Sequence, residues 1–161
     1  MSDYNYTNLA LAVKTVDLAR EDLGQKEATG RNDGSYVRKI QNWLGAFMEN
    51  QPWCAAFATY KLYQAAKQLG MKPVLSKSGS STSIYAEARK KGLLLMGPKP
   101  YCIGLLRGNG GSPGKTHHHT FLVGGEGAVE ADKVWSIDGN YKNAVSRTQH
   151  LIKDCDFVEL C

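Results

Sequence analysis

A chain of 161 residues is the size of one domain, and with 42% hydrophobic and 22% charged residues it can bury a full core. No run of about 18 apolar residues occurs, which excludes a membrane-spanning helix. The polar start Met1–Asn8 lacks the basic-then-apolar order of a signal peptide, so the expectation is a product made in the cytoplasm with its thiols reduced. The formal charge of +5 favours an anionic partner such as nucleic acid, anionic lipid or an acidic wall polymer. Nothing gathers that charge into a nucleic-acid-binding arm, since the densest run, Arg89-Lys90-Lys91, closes a helix whose dipole it complements.

In chain order, Leu9, Ala12, Val13, Val16, Ala19 and Leu23 recur at helical spacing behind Thr7, a candidate N-cap, and Gly24 stops the run. Residues 25–34 are polar and glycine-bearing, which predicts a loop. Ser35 is placed to cap a second helix with Val37, Ile40 and Leu44 on one face and Gly45 behind it. A third helix starts at Pro52, which suits the first helical position because its missing N–H is not needed there. It carries Ala55, Ala58, Leu62, Ala65 and Leu69 on one face and ends at Gly70. Ser80 to Ser83 offer caps for a fourth helix, Ile84 to Lys91, ended by Gly92.

Beyond Gly92 the pattern shortens. Leu93 to Met96, Tyr101 to Arg107, His119 to Val123, Lys133 to Asp138, Ala144 to Gln149 and Asp156 to Leu160 are separated by turn residues and read as strands. Helices followed by strands predict a single α+β domain over residues 1–161, with an antiparallel sheet. The glycine-rich stretch Gly108 to Gly114, followed by Lys115-Thr116, invites comparison with a phosphate-binding loop. Asn109 stands where that motif requires glycine, and a strand rather than a helix follows, so the comparison fails.

The chemistry gathers on a few residues. Cys54 falls in the first turn of the third helix, where the positive end of the dipole favours the thiolate, the form that attacks carbonyl carbon. A thiolate hydrolase needs a base and a polar group to orient it. Of the four histidines, His119 belongs to the regular part of a strand and is the first candidate base, with His117 on the same parity as second. His118 and His150 read as solvated. In Trp135-Ser136-Ile137-Asp138-Gly139-Asn140, Trp135 and Ile137 share the expected core face. Asp138 and Asn140 share the other parity, where either can accept from an imidazole on a neighbouring strand. Asp-Gly-Asn also suits a turn. The other cysteines show no CxxC pair, so no structural zinc site is signalled. Cys155 and Cys161 are near enough in sequence to pair after export.

Pro-Trp-Cys-Ala-Ala-Phe opening a helix, a distant His-Thr-hydrophobic strand and an Asp-Gly-Asn strand end together resemble the CHAP and NlpC-type cysteine peptidoglycan hydrolases, most of all the small phage endolysin-type branch. Gly30-Arg31-Asn32-Asp33-Gly34 and the helix from Tyr36 to Leu44 are similar to that branch's N-terminal part, and the resemblance runs from about Glu27 to the C-terminus. It implies a papain-like fold with N-terminal helices packed on an antiparallel sheet. It also implies cleavage of an amide in the peptide stems of bacterial peptidoglycan, without metal or cofactor. By position it makes Cys54 the nucleophile and His119 the base, with Asp138 where the family often has Glu and Asn140 at the accompanying Asn. The oxyanion would be met by the Cys54 backbone N–H. Gln51 would be a second donor, and Trp53, Gln51 and His117 are the expected substrate contacts. The Gly108–Gly114 loop would form a rim of the cleft. The chain departs from the family where a Gly-Asp pair usually precedes the histidine strand, here Tyr101-Cys102-Ile103-Gly104, and in its triple histidine. The implied setting is the cell wall, reached by phage lysis or contact-dependent secretion, with delivery machinery or an inhibitory immunity protein as further partners. Two other functions fit the residues: a zinc hydrolase using His117 and His119, with Asp138 as a third ligand, and a non-catalytic wall-binding module.

Overall fold

The computed structural model of the chain describes residues 3–160, with side chains from residue 9 onward. Four helices come first: α1 (Asp3–Glu21), α2 (Ser35–Leu44), α3 (Cys54–Leu69) and α4 (Ser81–Lys91). Six strands follow: β1 (Leu94–Leu95), β2 (Ile103–Arg107), β3 (His117–Val123), β4 (Lys133–Tyr141), β5 (Ala144–Leu151) and β6 (Cys155–Val158). They form one antiparallel sheet in the order β1-β6-β2-β3-β4-β5, so the chain is α+β. Among the described residues, no helix is long and apolar enough to cross a membrane.

Helix α3 is central because its apolar residues cover more than one face. Ala55, Ala58, Leu62 and Ala65 are buried against α1 and the sheet, and Ala56, Phe57 and Ala66 widen that stripe. The sheet has two covered faces. Ile103, Leu105, Leu122, Ile137, Val145 and Val158 meet the helices. Residues of the opposite parity, Phe121, Val123, Val134, Cys155 and Phe157, form a smaller core with Cys102 and Ala128. The expectation that Trp135 and Ile137 mark the core face is therefore half right. Ile137 joins the helical core, but Val134, Ser136 and Asp138 are fully buried, and Trp135 is only half-buried, with the Arg147 guanidinium over its ring at 4.7 Å.

Several boundaries move for local reasons. Helix α1 begins at Asp3, so Thr7 lies inside it and is not its cap. Helix α3 begins at Cys54 rather than at Pro52, because Trp53 is held in a non-helical conformation (φ −118°, ψ 14°) with its indole buried. Gly34, at φ +105°, takes the cap position of α2, and Ser35 is its first residue. Ser80 caps α4, accepting from the Ser83 N–H at 3.2 Å. Asp138-Gly139-Asn140 is strand, and the turn falls at Lys142-Asn143, both at positive φ. Cys161 lies outside the described residues.

One irregularity positions the site. Strands β3 and β4 pair only through Leu122↔Ile137 and Val123↔Ser136. From Phe121 back to His117, and from Asp138 onward, they no longer pair, and the first turn of α3 lies against both. Gly139 permits that approach, since a Cβ there would stand 2.5 Å from Phe57 Cβ.

Candidate active site

Cys54 is the first residue of α3, where the N–H groups have no carbonyl of the preceding turn to bond. Its sulfur accepts from the backbone N–H of Ala55 and of Thr120, the latter on the β3 stretch left unpaired by β4, and is hydrogen-bonded to His119. His119 Nε2 meets Asp138 Oδ2 at 2.6 Å, which leaves Nδ1 to face the thiol. Asp138 is fully buried, and its other oxygen accepts from Ser136 Oγ. The sequence-predicted Cys54, His119 and Asp138 are thus brought into one chain of hydrogen bonds.

The electrostatics run along that chain. Burial alone would raise the Cys54 thiol, but the His119 hydrogen bond and charge, with the two amides, outweigh it and hold the thiol below its ordinary value. Burial pulls His119 down, but Asp138 and then Cys54 raise it to about 10. Burial pushes the Asp138 carboxyl up, and hydrogen bonds from His119 and His150 hold it below the usual range. Each group favours its charged form through its neighbour, so a thiolate beside an imidazolium is the preferred state.

His150, expected to be solvated, belongs to the site. Its Nε2 meets the same Asp138 Oδ2 at 2.7 Å, and its ring stacks on Phe121 at 4.0 Å. Alternation on β5 puts His150 on one face with Thr148 and Ser146. Only the placing of β4 between β3 and β5 carries it to Asp138, and a single strand holds no sign of that order.

Other predicted residues go elsewhere. Asn140 turns to Asn32, donating from Nδ2 to Oδ1 at 3.3 Å, because its backbone is left-handed (φ +60°) and breaks the parity shared with Asp138. Trp53 is fully buried and donates from Nε1 to Glu27 Oε1 at 2.9 Å, so it supports the helix start rather than facing a ligand. Gln51 is exposed, and its carbonyl accepts from Gln41 Nε2 at 2.9 Å, outside the lining of the cleft. Glu27, which sequence reasoning passed over, also accepts from the Asn32 N–H at 3.0 Å and so ties the 25–34 loop to Trp53.

His117 does line the cleft, but it does not join His119. Its Nε2 meets Asp156 Oδ2 at 2.7 Å and its ring stacks on Tyr85 at 4.4 Å, because a bulge opposite Leu106 and Arg107 breaks the strand's alternation. The His117/His119 zinc pair is therefore not assembled. Among the described residues, the one group with metal-ligand spacing is His119, Asp138 and His150, whose ligand atoms lie within 4.8 Å of one another.

Cys54 opens into a cleft of about 240 Å³. Pro52 and the α4 start, Gly79 to Ser81, form one wall. His117 and His118 form another, and Asn109, Gly110, Ser112 and Lys115 of the glycine-rich loop make the rim. The starts of α3 and α4, with Lys115, give this cleft a positive potential.

No protein-family model matches the chain, and no curated protein sequence matches it. Among solved structures the fold is similar to the crystal structure of Ly7917, with a TM-score of 0.51 and 13% identity over 92% of this chain and 62% of that one. The chain thus spans about three-fifths of Ly7917, and at this identity the likeness concerns the fold alone.

Proposed function

We propose that the protein is a papain-like cysteine hydrolase that cleaves an amide bond in the peptide stems of peptidoglycan. The observation that carries the chemistry is the hydrogen-bonded series Cys54, His119, Asp138 beside an open cleft. The substrate class rests on the resemblance carried by Pro52-Trp53-Cys54-Ala55-Ala56-Phe57, the His119 strand and Asp138-Gly139-Asn140.

In this reading the Cys54 thiolate attacks the amide carbonyl carbon. The oxyanion that forms is met by the Cys54 N–H at the start of α3, where the helix dipole also favours negative charge. The His119 imidazolium gives its proton to the leaving amine, the C–N bond breaks, and a thioester remains on Cys54. Neutral His119 then takes a proton from water, which attacks the thioester and releases the stem acid, while the cysteine leaves as thiolate and the imidazolium is restored. Asp138 keeps the ring in the tautomer and orientation these transfers need. The wall, reached by phage lysis or a contact-dependent secretion system, is the proposed site of action.

The test is digestion of purified peptidoglycan by wild type and Cys54→Ala, with products weighed by mass spectrometry. Defined fragments from wild type and none from the folded variant support the proposal, and the masses name the bond. Lysis retained by Cys54→Ala would sink it. A second reading, metal-assisted hydrolysis at His119, Asp138 and His150, follows from their spacing. Activity lost in EDTA and restored by zinc would favour it.

A further inference from the structure

On the side of α3 turned away from the sheet, Tyr60, Tyr63, Gln64, Lys67 and Gln68 follow one another at helical spacing. With Trp43 of α2 and Lys77 from the segment before α4, they line a groove of about 700 Å³. The rings form a trough. Trp43 stands at 81° to Tyr60 and at 71° to Tyr63, each with centroids 5.3 Å apart. The Lys77 ammonium lies over Trp43 at 4.7 Å, and among the described residues no acidic one lines the groove. Among the described residues, none partners the buried amide oxygen of Gln64. A native structure rarely leaves such a group unexplained.

The groove is tied to the Cys54 cleft by one short piece of chain. Lys77 lines the groove, and Gly79, Ser80 and Ser81 line the cleft. Two residues of backbone reach at most about 7 Å, so this one segment borders both hollows. Gly79 packs against Met48 and Leu44, which fixes this shared wall.

We propose that this groove binds the glycan strand of the polymer whose peptide stem enters the Cys54 cleft. The inference rests on the amide-hydrolase reading for its polymer, but its own observations are separate. Pyranose rings present C–H faces that lie on Trp43 and Tyr63, aromatic surfaces with a polar edge. Their hydroxyls are donors and acceptors that match the Gln64 and Gln68 amides along the groove. Lys67 and Lys77 complement the carboxylates that the stems hang along the strand. Alternation of ring and amide along a concave surface suits a sugar chain better than the flat apolar face of a protein contact.

The experiment uses the whole chain with two changes, Tyr63→Ala and Lys77→Ala, both in half-buried or exposed side chains, with thermal unfolding as the check on fold. The probe is glycan strand freed of stems, with binding read by isothermal titration. Intact peptidoglycan serves for kinetics. The expected result is glycan binding by wild type, weakened about tenfold in the double variant. KM on intact wall should rise by a similar factor with kcat held. If a folded double variant binds glycan like wild type, or wild type binds none while still cleaving the wall, the groove proposal falls and the hydrolase reading stands. If wild type binds glycan through the groove yet releases no fragments, the hydrolase reading falls and the groove stands. Should the double variant change only the oligomeric state, the groove is a protein contact and the proposal is overturned.

Discussion

His150 donates to the same Asp138 oxygen that holds His119, at 2.7 and 2.6 Å, with Ser136 on the other oxygen. Asp138 is fully buried, so these three donors replace the water that would otherwise solvate its charge. His150→Ala leaves that carboxylate short of a partner. Urea unfolding should show a loss of about 1–3 kcal/mol at neutral pH. His150→Gln, which keeps an N–H donor, should recover part of the stability and of the turnover. Equal stability in His150→Ala and wild type would mean that His150 is a bystander.

The Cys54 and His119 shifts predict two opposed slopes of stability against pH. His119, raised to about 10 from an ordinary value near 6.5, stabilises fully below 6.5 and loses this as pH rises through about 10. Cys54, held below its ordinary value near 8.5, stabilises above that value and loses this as pH falls. Above about 6.5 the histidine begins to lose stability with rising pH while the cysteine still gains it, so the two slopes oppose each other up to about 8.5. Above about 8.5 only the histidine slope remains, and the folded chain binds more protons. The urea midpoint should fall steeply above about pH 8.5, where nothing opposes that slope. In Cys54→Ala the decline should begin at about 6.5, because only the histidine slope remains.

The thiolate itself is measurable. In wild type, the iodoacetamide rate at Cys54 should persist below the pH at which an ordinary cysteine falls silent. In His119→Ala the burial effect is left without its largest opponent, and the alkylation profile should move to higher pH. Cys155, pushed up to about 12 by burial, should stay unreactive and serves as the internal control.

Trp53→Phe removes the indole N–H from Glu27 Oε1 and leaves a void in a fully packed site. The combined loss should be about 2–4 kcal/mol by thermal or urea unfolding, with turnover also reduced because Trp53 sets where α3 begins. A variant that unfolds like wild type would contradict the assigned role.

Gly139→Ala places a methyl group 2.5 Å from Phe57 Cβ and must push the start of α3 off β4. Overpacking of this kind should cost about 1–3 kcal/mol, and kcat should fall further than stability alone explains, since Cys54 shifts against His119.

How far the sequence reached depended on whether a residue's neighbours were set locally. Cys54 at a helix start and the six strands were readable because helical spacing, Gly70 and Gly92, and turn residues mark them. Asp138 beside His119 was readable by parity once their strands were taken as adjacent. The same parity failed at Asn140, where a left-handed backbone turns the side chain to Asn32, and at His117, where a bulge in its own strand turns it to Asp156. Trp53 was misjudged because adjacency to Cys54 in sequence puts it on a different side of the chain in space. Glu27 and His150 were missed because their partners lie 26 and 12 residues away, across loops and strands whose arrangement only the folded chain specifies.

The glycine-rich rim has a consequence for how this domain can diversify. The β2–β3 hairpin is already closed by Gly108 N–H to the Thr116 carbonyl at 2.9 Å. Residues 109–115 therefore add nothing to the pairing of the sheet, yet four of them face the cleft. Such a segment is an exchangeable cartridge: its length and side chains can be rewritten to suit a different ligand while Cys54, His119 and Asp138 stay where they are.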